Sequence, residues 1–243
     1  MECNYISGVR LRALPPKGSF LRELPVVRGL AAMDELPFTK PVTFLVGENG
    51  TGKSTLLEAI AVAYGFNAEG GTRNFQFSTA QTHSNLHELL TVIKSAYPDD
   101  GFFLRAESFY NTASYIDEIG DPAYLQAYGG KSLHAQSHGE SFLALVQNRF
   151  RGHGLYLLDE PEAALSPSRL LTLIAEIHAL VQEDAQFLIA THSPILMAYL
   201  GAEVLELSEY GIRSVDYRDT GHYRITRAFL ENPERMLHYL LDE

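Results

Sequence analysis

Apolar and polar positions along the chain change period several times, and each change marks an element. Tyr5 to Leu11 alternates, as a strand with one buried face does, and Pro15-Pro16-Lys17-Gly18 ends it. Leu24 to Val27 reads as a second short strand, so the first forty residues are expected to be strands and turns. Val42-Thr43-Phe44-Leu45-Val46 is a short apolar run closed by glycine, the pattern of a parallel strand buried on both faces. From Lys53 to Tyr64 the residues Leu56, Leu57, Ile60, Ala61 and Tyr64 recur at helical spacing, and Gly65 supplies a stop. Leu155 to Leu158 and Phe187 to Ala190 are two further buried-strand runs. Between them Ser166 is placed as an N-cap and Pro167 as the first helical residue. Leu170, Leu171, Ile174, Ile177, Leu180 and Val181 form the expected buried face of that helix. Strand, helix, strand in this order predicts a parallel α/β sheet. Residues 108–150 are expected to be mostly helical. The tail from Glu203 predicts a hairpin around Tyr210-Gly211 and then a terminal helix.

Composition narrows the picture without naming a function. Hydrophobic residues make up 46% and charged residues 20% of the 243, which excludes wholesale disorder. The formal net charge of −11 argues against a surface coated in basic groups for nucleic acid, but not against a local basic groove. Arg10, Arg12, Lys17, Arg22 and Arg28 face only Glu23 in their stretch, which reads as a solvated sheet edge before a binding surface. Cys3 is the only cysteine, so neither a disulfide framework nor a cysteine-rich zinc site is available. The N-terminus lacks an apolar signal core and no run of 18 apolar residues occurs. The expectation is a cytoplasmic protein with no membrane insertion by itself.

Four motifs carry candidate chemistry. Gly47, Glu48, Asn49, Gly50, Thr51, Gly52, Lys53, Ser54 and Thr55 form a phosphate-binding loop of the form G-x-x-x-x-G-K-S/T. Its glycines let backbone N–H groups turn inward around an anion, and the helix starting at Lys53 adds its positive dipole end. Lys53 is expected to reach the β- and γ-phosphates and Ser54 to ligate Mg²⁺. The strand Leu155 to Leu158 delivers Asp159 and Glu160 at its C-terminal end, where ligands of open α/β sheets bind. Asp159 is placed to hold the Mg²⁺ shell and Glu160 to polarise an attacking water. Ala190-Thr191-His192-Ser193-Pro194 leaves His192 at the same edge, where a neutral imidazole can hydrogen-bond the γ-phosphate or the water. Finally, Gln136-Ser137-His138-Gly139-Glu140-Ser141 precedes a helical run 22 residues before Asp159. Ser137, Gly139 and Glu140 at a helix start make a second anion site. One nucleotide does not need two such sites, so this one is expected to serve the nucleotide of a second copy.

The ordered set of Gly47 to Thr55, Ser137 to Glu140, Leu155 to Glu160 and His192 resembles the ATP-binding-cassette ATPases. The S-x-G-E form of the signature is closer to the soluble, chromosome-maintenance and RecF-like branch than to the L-S-G-G-Q of transport cassettes. Asp159-Glu160-Pro161-Glu162 is similar to stand-alone bacterial ATPases of that branch, and Ala163 to Ser166 fall at the subunit-communication loop. The resemblance implies an α/β P-loop NTPase (RecA-like) parallel sheet core with an N-terminal antiparallel β-subdomain and a small helical subdomain. One ATPase domain would span 1–243: a β-subdomain at about 1–40, a nucleotide-binding core at 41–107 and 151–243, and a helical signature subdomain at 108–150. It also implies ATP and Mg²⁺ as ligands, and an ATP-dependent head-to-tail homodimer. The catalytic residues would be Glu160, His192 and Lys53, and the metal ligands Ser54, Asp159 and Glu107. Glu107 follows Phe102 to Ala106 where the family usually has a glutamine, while Gln76 and Gln81 lie earlier. Tyr5, Phe20 and Phe38 are undiscriminated candidates for stacking on adenine. The expected role is an ATPase of DNA maintenance or anti-phage defence acting on nucleic acid or an effector protein. The alternative is the nucleotide-binding subunit of a transporter.

Overall fold

The computed structural model describes residues 4–72, 84–105 and 137–241. Nine strands lie in these residues. They are β1 (Ile6–Leu11), β2 (Leu36–Pro37), β3 (Val42–Val46), β4 (Leu90–Lys94), β5 (Asp100–Arg105), β6 (Gly154–Asp159), β7 (Gln186–Ala190), β8 (Glu203–Ser208) and β9 (Gly211–Ser214). The α-helices described are α1 (Pro25–Ala31), α2 (Lys53–Tyr64), α3 (Leu86–Leu89), α4 (His138–Arg149), α5 (Pro167–Gln182), α6 (Pro194–Met197), α7 (Gly221–Glu231) and α8 (Pro233–Leu241). The larger sheet has the order β5-β6-β7-β3-β8-β9, parallel up to β8 and antiparallel at β9. The smaller sheet, β2-β1-β4, is antiparallel.

The buried-strand runs form parallel strands because helices cover both faces of the large sheet. Along β6, Leu155 and Leu157 point into the layer that holds Leu56, Leu57 and Ile60 of α2. Tyr156 and Leu158 point into the opposite layer, with Leu170, Leu173 and Ile177 of α5. A strand buried on both faces needs no polar alternation. The helix read from Lys53 to Tyr64 has those bounds, with Gly65 at φ +114 as its left-handed stop. Ser166 and Pro167 open α5 as expected.

Three expectations are corrected. Leu24 to Val27 is not a strand: Pro25 starts α1, and Val26, Val27 and Leu30 are buried at helical spacing, so packing overrides the strand preference of valine. In α5, Leu171 is 61% exposed while Leu173, which the predicted face omitted, is buried; the inward stripe runs Leu170, Leu173, Ile177. The terminal helix is two helices, α7 and α8, divided at Asn232-Pro233, because proline lacks an N–H and restricts the residue before it. The hairpin at Tyr210-Gly211 is present as β8–β9. Within 108–150, α4 is the described helix, and residues 108–136 lie outside the described residues.

A buried glutamine joins the two sheets. Gln186, at the start of β7, accepts from Ile6 N–H (2.9 Å) and donates to Ile6 C=O (2.8 Å). It pairs with β1 as a peptide group would and satisfies two backbone groups at the sheet junction. Among the described residues no helix is long and apolar enough to cross a membrane.

Candidate active site

The strands set the site level. Leu45 of β3 pairs with Ala190 of β7, and Ala190 pairs with Asp159 of β6. The segments after three neighbouring strands therefore leave the sheet side by side at its C-terminal edge. The phosphate loop follows β3, Glu160 follows β6, and His192 follows β7.

The loop's shape is dictated by glycine. Gly47 has φ +143, and a Cβ there would come within 2.2 Å of Leu207 O. Gly52 has φ +95, and its Cβ would lie 2.5 Å from Val26 Cγ1. Thr51 N–H and Oγ1 donate to Glu48 O at 3.3 and 2.9 Å, and Thr51 O accepts from Val26 N–H at 3.0 Å. The curl is thus fixed from inside and from α1. Glu48, Asn49 and Gly50 form its exposed crest, while Ser54 and Thr55 lie in the first turn of α2. Lys53 is buried, and its Nζ donates to Gly47 O (2.8 Å) and Glu48 O (3.2 Å). Burial lowers its pKa, against the opposing pull of Glu160, Asp159, Glu162 and Glu48.

Asp159 is the buried last residue of β6, with Arg105 Nε 3.9 Å from its Oδ2. Arg105 also pairs with Glu58 of α2 at 2.7 Å. Glu160 sits at φ +50, ψ +52, a left-handed conformation that costs a non-glycine residue about 1–2 kcal/mol. Its N–H donates to Ala190 O at 2.9 Å, so the turn is tied to β7. The Glu160 side chain is 42% exposed, and its Oε1 lies 3.5 Å from His192 Nε2. Burial, then the charge of Lys53, then His222, hold the His192 pKa below the usual histidine range, so the imidazole is neutral at pH 7.

Two residues here were missed by sequence reasoning. Glu162 is half-buried, and its Oε1 accepts from Thr191 Oγ1 (2.7 Å) and from His192 N–H, which clamps the loop after β6 to the loop after β7. Burial raises its pKa. Only its place in Asp-Glu-Pro-Glu signalled it. His222, in the first turn of α7, puts its Nε2 2.8 Å from His192 Nδ1. No local pattern marks it, because it comes 30 residues after His192.

The second anion site stands apart in character. Ser137 caps α4, and Glu140 Oε2 accepts from both Ser137 N–H (3.0 Å) and Ser137 Oγ (2.7 Å). Those bonds, the hydroxyl's first, lower the pKa of the exposed Glu140 carboxyl. Arg169 of α5, unmarked in the sequence, donates to Ser137 Oγ (3.2 Å) and Glu140 Oε1 (3.0 Å). A Cβ on Gly139 would lie 2.7 Å from Ala164 O and from Arg169 Nη1. The helix start is therefore seated on the segment that follows Glu160.

Glu107 lies outside the described residues. Of the aromatic candidates, Tyr5 and Phe38 are buried and Phe20 is exposed, next to the helix that braces the phosphate loop. The basic N-terminal stretch is partly matched inside the chain: Arg10 by Glu35 (3.5 Å), Arg28 by Glu23, Arg12 by Glu88 O and Arg22 by Pro15 O.

The residues suit a magnesium-bound nucleoside triphosphate. The loop cradle excludes a Cβ at Gly47 and Gly52, and the donor set of Ser54 Oγ and the Asp159 carboxylate is hard oxygen. Among the described residues no group of three or more His, Cys, Asp and Glu could cage a metal ion. Sparse protein ligation is the usual mode for Mg²⁺ shared with substrate phosphates.

Two family models match separate parts of the chain. "AAA domain" matches residues 30–99, which hold the phosphate loop. "AAA domain, putative AbiEii toxin, Type IV TA system" matches residues 132–198, which hold Ser137, Asp159, Glu160 and His192. No curated protein matches the chain. Among solved structures, cbiO1 from Clostridium perfringens, part of the ABC transporter complex cbiONQ, is 17% identical over 98% of this chain and 99% of its own, with TM-score 0.50. An SMC head domain from Thermotoga maritima is 15% identical over 88% of this chain and 99% of its own, with TM-score 0.45. At such identity the likeness to cbiO1 is one of fold. The parallel sheet with the ordered motifs at its edge has the fold of the P-loop ABC ATPases, and two separate parts of the chain are similar to AAA-domain families.

Proposed function

We propose that the chain binds ATP with Mg²⁺, hydrolyses it, and pairs head to tail with a second copy while the triphosphate is intact. The observation that carries this reading is Lys53: a buried amine curled into a glycine-built anion loop, with Asp159, Glu160 and Glu162 around it. Lys53 and the loop amides would bind the β- and γ-phosphates. Ser54 and Asp159 would hold Mg²⁺, which supplies charge neutralisation when bound. Glu160 would accept a proton from the attacking water as its oxygen bonds to the γ-phosphorus and the bond to the bridging oxygen breaks, giving ADP and phosphate. His192 Nε2–H would donate to the γ-phosphate or the water. The exposed start of α4 in the second copy would complete the anion site from the other side, through Ser137 and its neighbouring amides. The γ-phosphate then has different affinity for closed and open pairs, which is what couples hydrolysis to opening.

Between nucleic acid and an effector protein as the thing acted on, the intrachain partners of Arg10, Arg12, Arg22 and Arg28 favour a protein. The test is phosphate release from ATP with and without Mg²⁺, by wild type and Lys53→Ala, with and without DNA at two salt concentrations. Mg²⁺-dependent release that Lys53→Ala abolishes supports the reading. Equal release by both proteins contradicts it. DNA stimulation that falls with salt would shift the effector to nucleic acid.

A further inference from the structure

The ring nitrogens of His192 and His222 lie 2.8 Å apart in an edge-on pair, so one carries the proton and the other accepts it. Glu160 decides which. The other nitrogen of His192, Nε2, is buried, makes no hydrogen bond among the described residues, and lies 3.5 Å from the Glu160 carboxylate. If His192 donated its only proton to His222, a bare nitrogen lone pair would face that carboxylate. If His222 donates instead, an N–H faces it. The backbone of His192 is already pinned by Glu162, which leaves the ring's tautomer as the remaining freedom.

His222 is well placed to settle that tautomer. The Thr220 cap is fully buried, with Oγ1 donating to Tyr217 O at 2.6 Å and accepting from Tyr223 N–H at 3.4 Å. Gly221 sits beside Glu48 of the phosphate loop. The start of α7 is therefore fixed against the site by a group that takes no other part in it.

We propose that His222 is a positioning residue for hydrolysis: its Nε2–H donates to His192 Nδ1 and holds His192 in the Nε2–H form, that proton aimed at the Glu160 side of the site. The proposal rests on the ATP-hydrolysis reading of the site. A second imidazole sets which nitrogen of the first can donate, as outer partners orient active histidines generally.

Two variants of nearly equal size separate donor from acceptor. His222→Gln keeps an N–H donor near the position of Nε2. His222→Glu offers only acceptors and draws a proton onto His192 Nδ1. Nitrogen-15 spectra of histidine-labelled protein, with His192 assigned by the signals lost in His192→Asn, read the tautomer directly. The expected result is Nδ1 without a proton in wild type and His222→Gln, and with a proton in His222→Glu. In turnover, His222→Gln is expected within about fivefold of wild-type kcat. His222→Glu is expected to lose about 10–100-fold, with KM and Tm nearly unchanged. A proton on His192 Nδ1 in wild type, an unchanged tautomer in His222→Glu, or equal kcat in the two variants would overturn the proposal. If no form, wild type included, hydrolyses ATP, the hydrolysis reading fails, and the spectra still decide the His222 contact.

Discussion

The two anion sites sit on neighbouring segments and differ in what surrounds them. The phosphate-loop site is acid-rich around a buried amine: Lys53 lies among Glu48, Asp159, Glu160 and Glu162, and the loops are tied together by backbone and side-chain bonds. The Ser137–Glu140 site is exposed and self-capped, held in shape by Arg169 and by contact of Gly139 with Ala164. One is, on the proposed reading, the place where a triphosphate is held and cut. The other presents a preformed helix start outward. On the proposed reading a single copy binds nucleotide, and turnover needs the outward site of another copy.

Variants on the two sides should therefore fail differently. Glu160→Gln removes the proton acceptor and is expected to lower kcat by about 10²–10⁴-fold with nucleotide affinity largely kept, measured by single-turnover hydrolysis and equilibrium binding. Gly139→Val, which drives a side chain into Ala164 O, is expected to keep ATP binding by the monomer while lowering kcat by about 10–100-fold, an effect that rises with protein dilution. Equal loss of ATP binding in the Gly139 variant would erase the distinction between the sites.

A smaller effect concerns the clamp between loops. Glu162→Ala leaves Thr191 Oγ1 and His192 N–H without their acceptor and is expected to cost about 1–3 kcal/mol in denaturant unfolding. Glu162→Gln probes the charge alone. Burial raises the folded pKa of Glu162, so the native state binds the extra proton. The stabilisation is full below the ordinary carboxylate value and is lost as pH rises through the raised one. The Tm of Glu162→Gln should accordingly gain on wild type across that window. The smallest effect is in the pH profile. His192 has its pKa held down by burial, then by Lys53 and His222, so the acid limb of kcat should fall below the ordinary histidine range near 6.5. An acid limb at or above that value would contradict a neutral, half-buried His192.

Much of the nucleotide edge was legible because its signals are local. A glycine-rich turn between an apolar strand and a helix, or carboxylates ending an apolar run, can be read without knowing what lies across the sheet. The helix over Lys53–Tyr64 and the strands around Asp159 and His192 follow from such runs. Leu24 to Val27 was misread because its valines favour a strand locally, while burial against Gly52 and Thr51 makes them helical. Leu171 was misplaced because an apolar residue next to the buried stripe looks the same in sequence as one inside it. Arg169, Glu162 and His222 escaped for another reason: each acts through a partner some 30 residues distant, and a single sequence carries no trace of that pairing.

The central claim is that intact ATP joins two copies through the outward site. The most direct measurement is the solution mass of Glu160→Gln, with and without Mg²⁺-ATP, beside the wild-type hydrolysis rate. The account predicts a monomer without nucleotide, a stable dimer with Mg²⁺-ATP, and hydrolysis by wild type. A monomer under both conditions would contradict it.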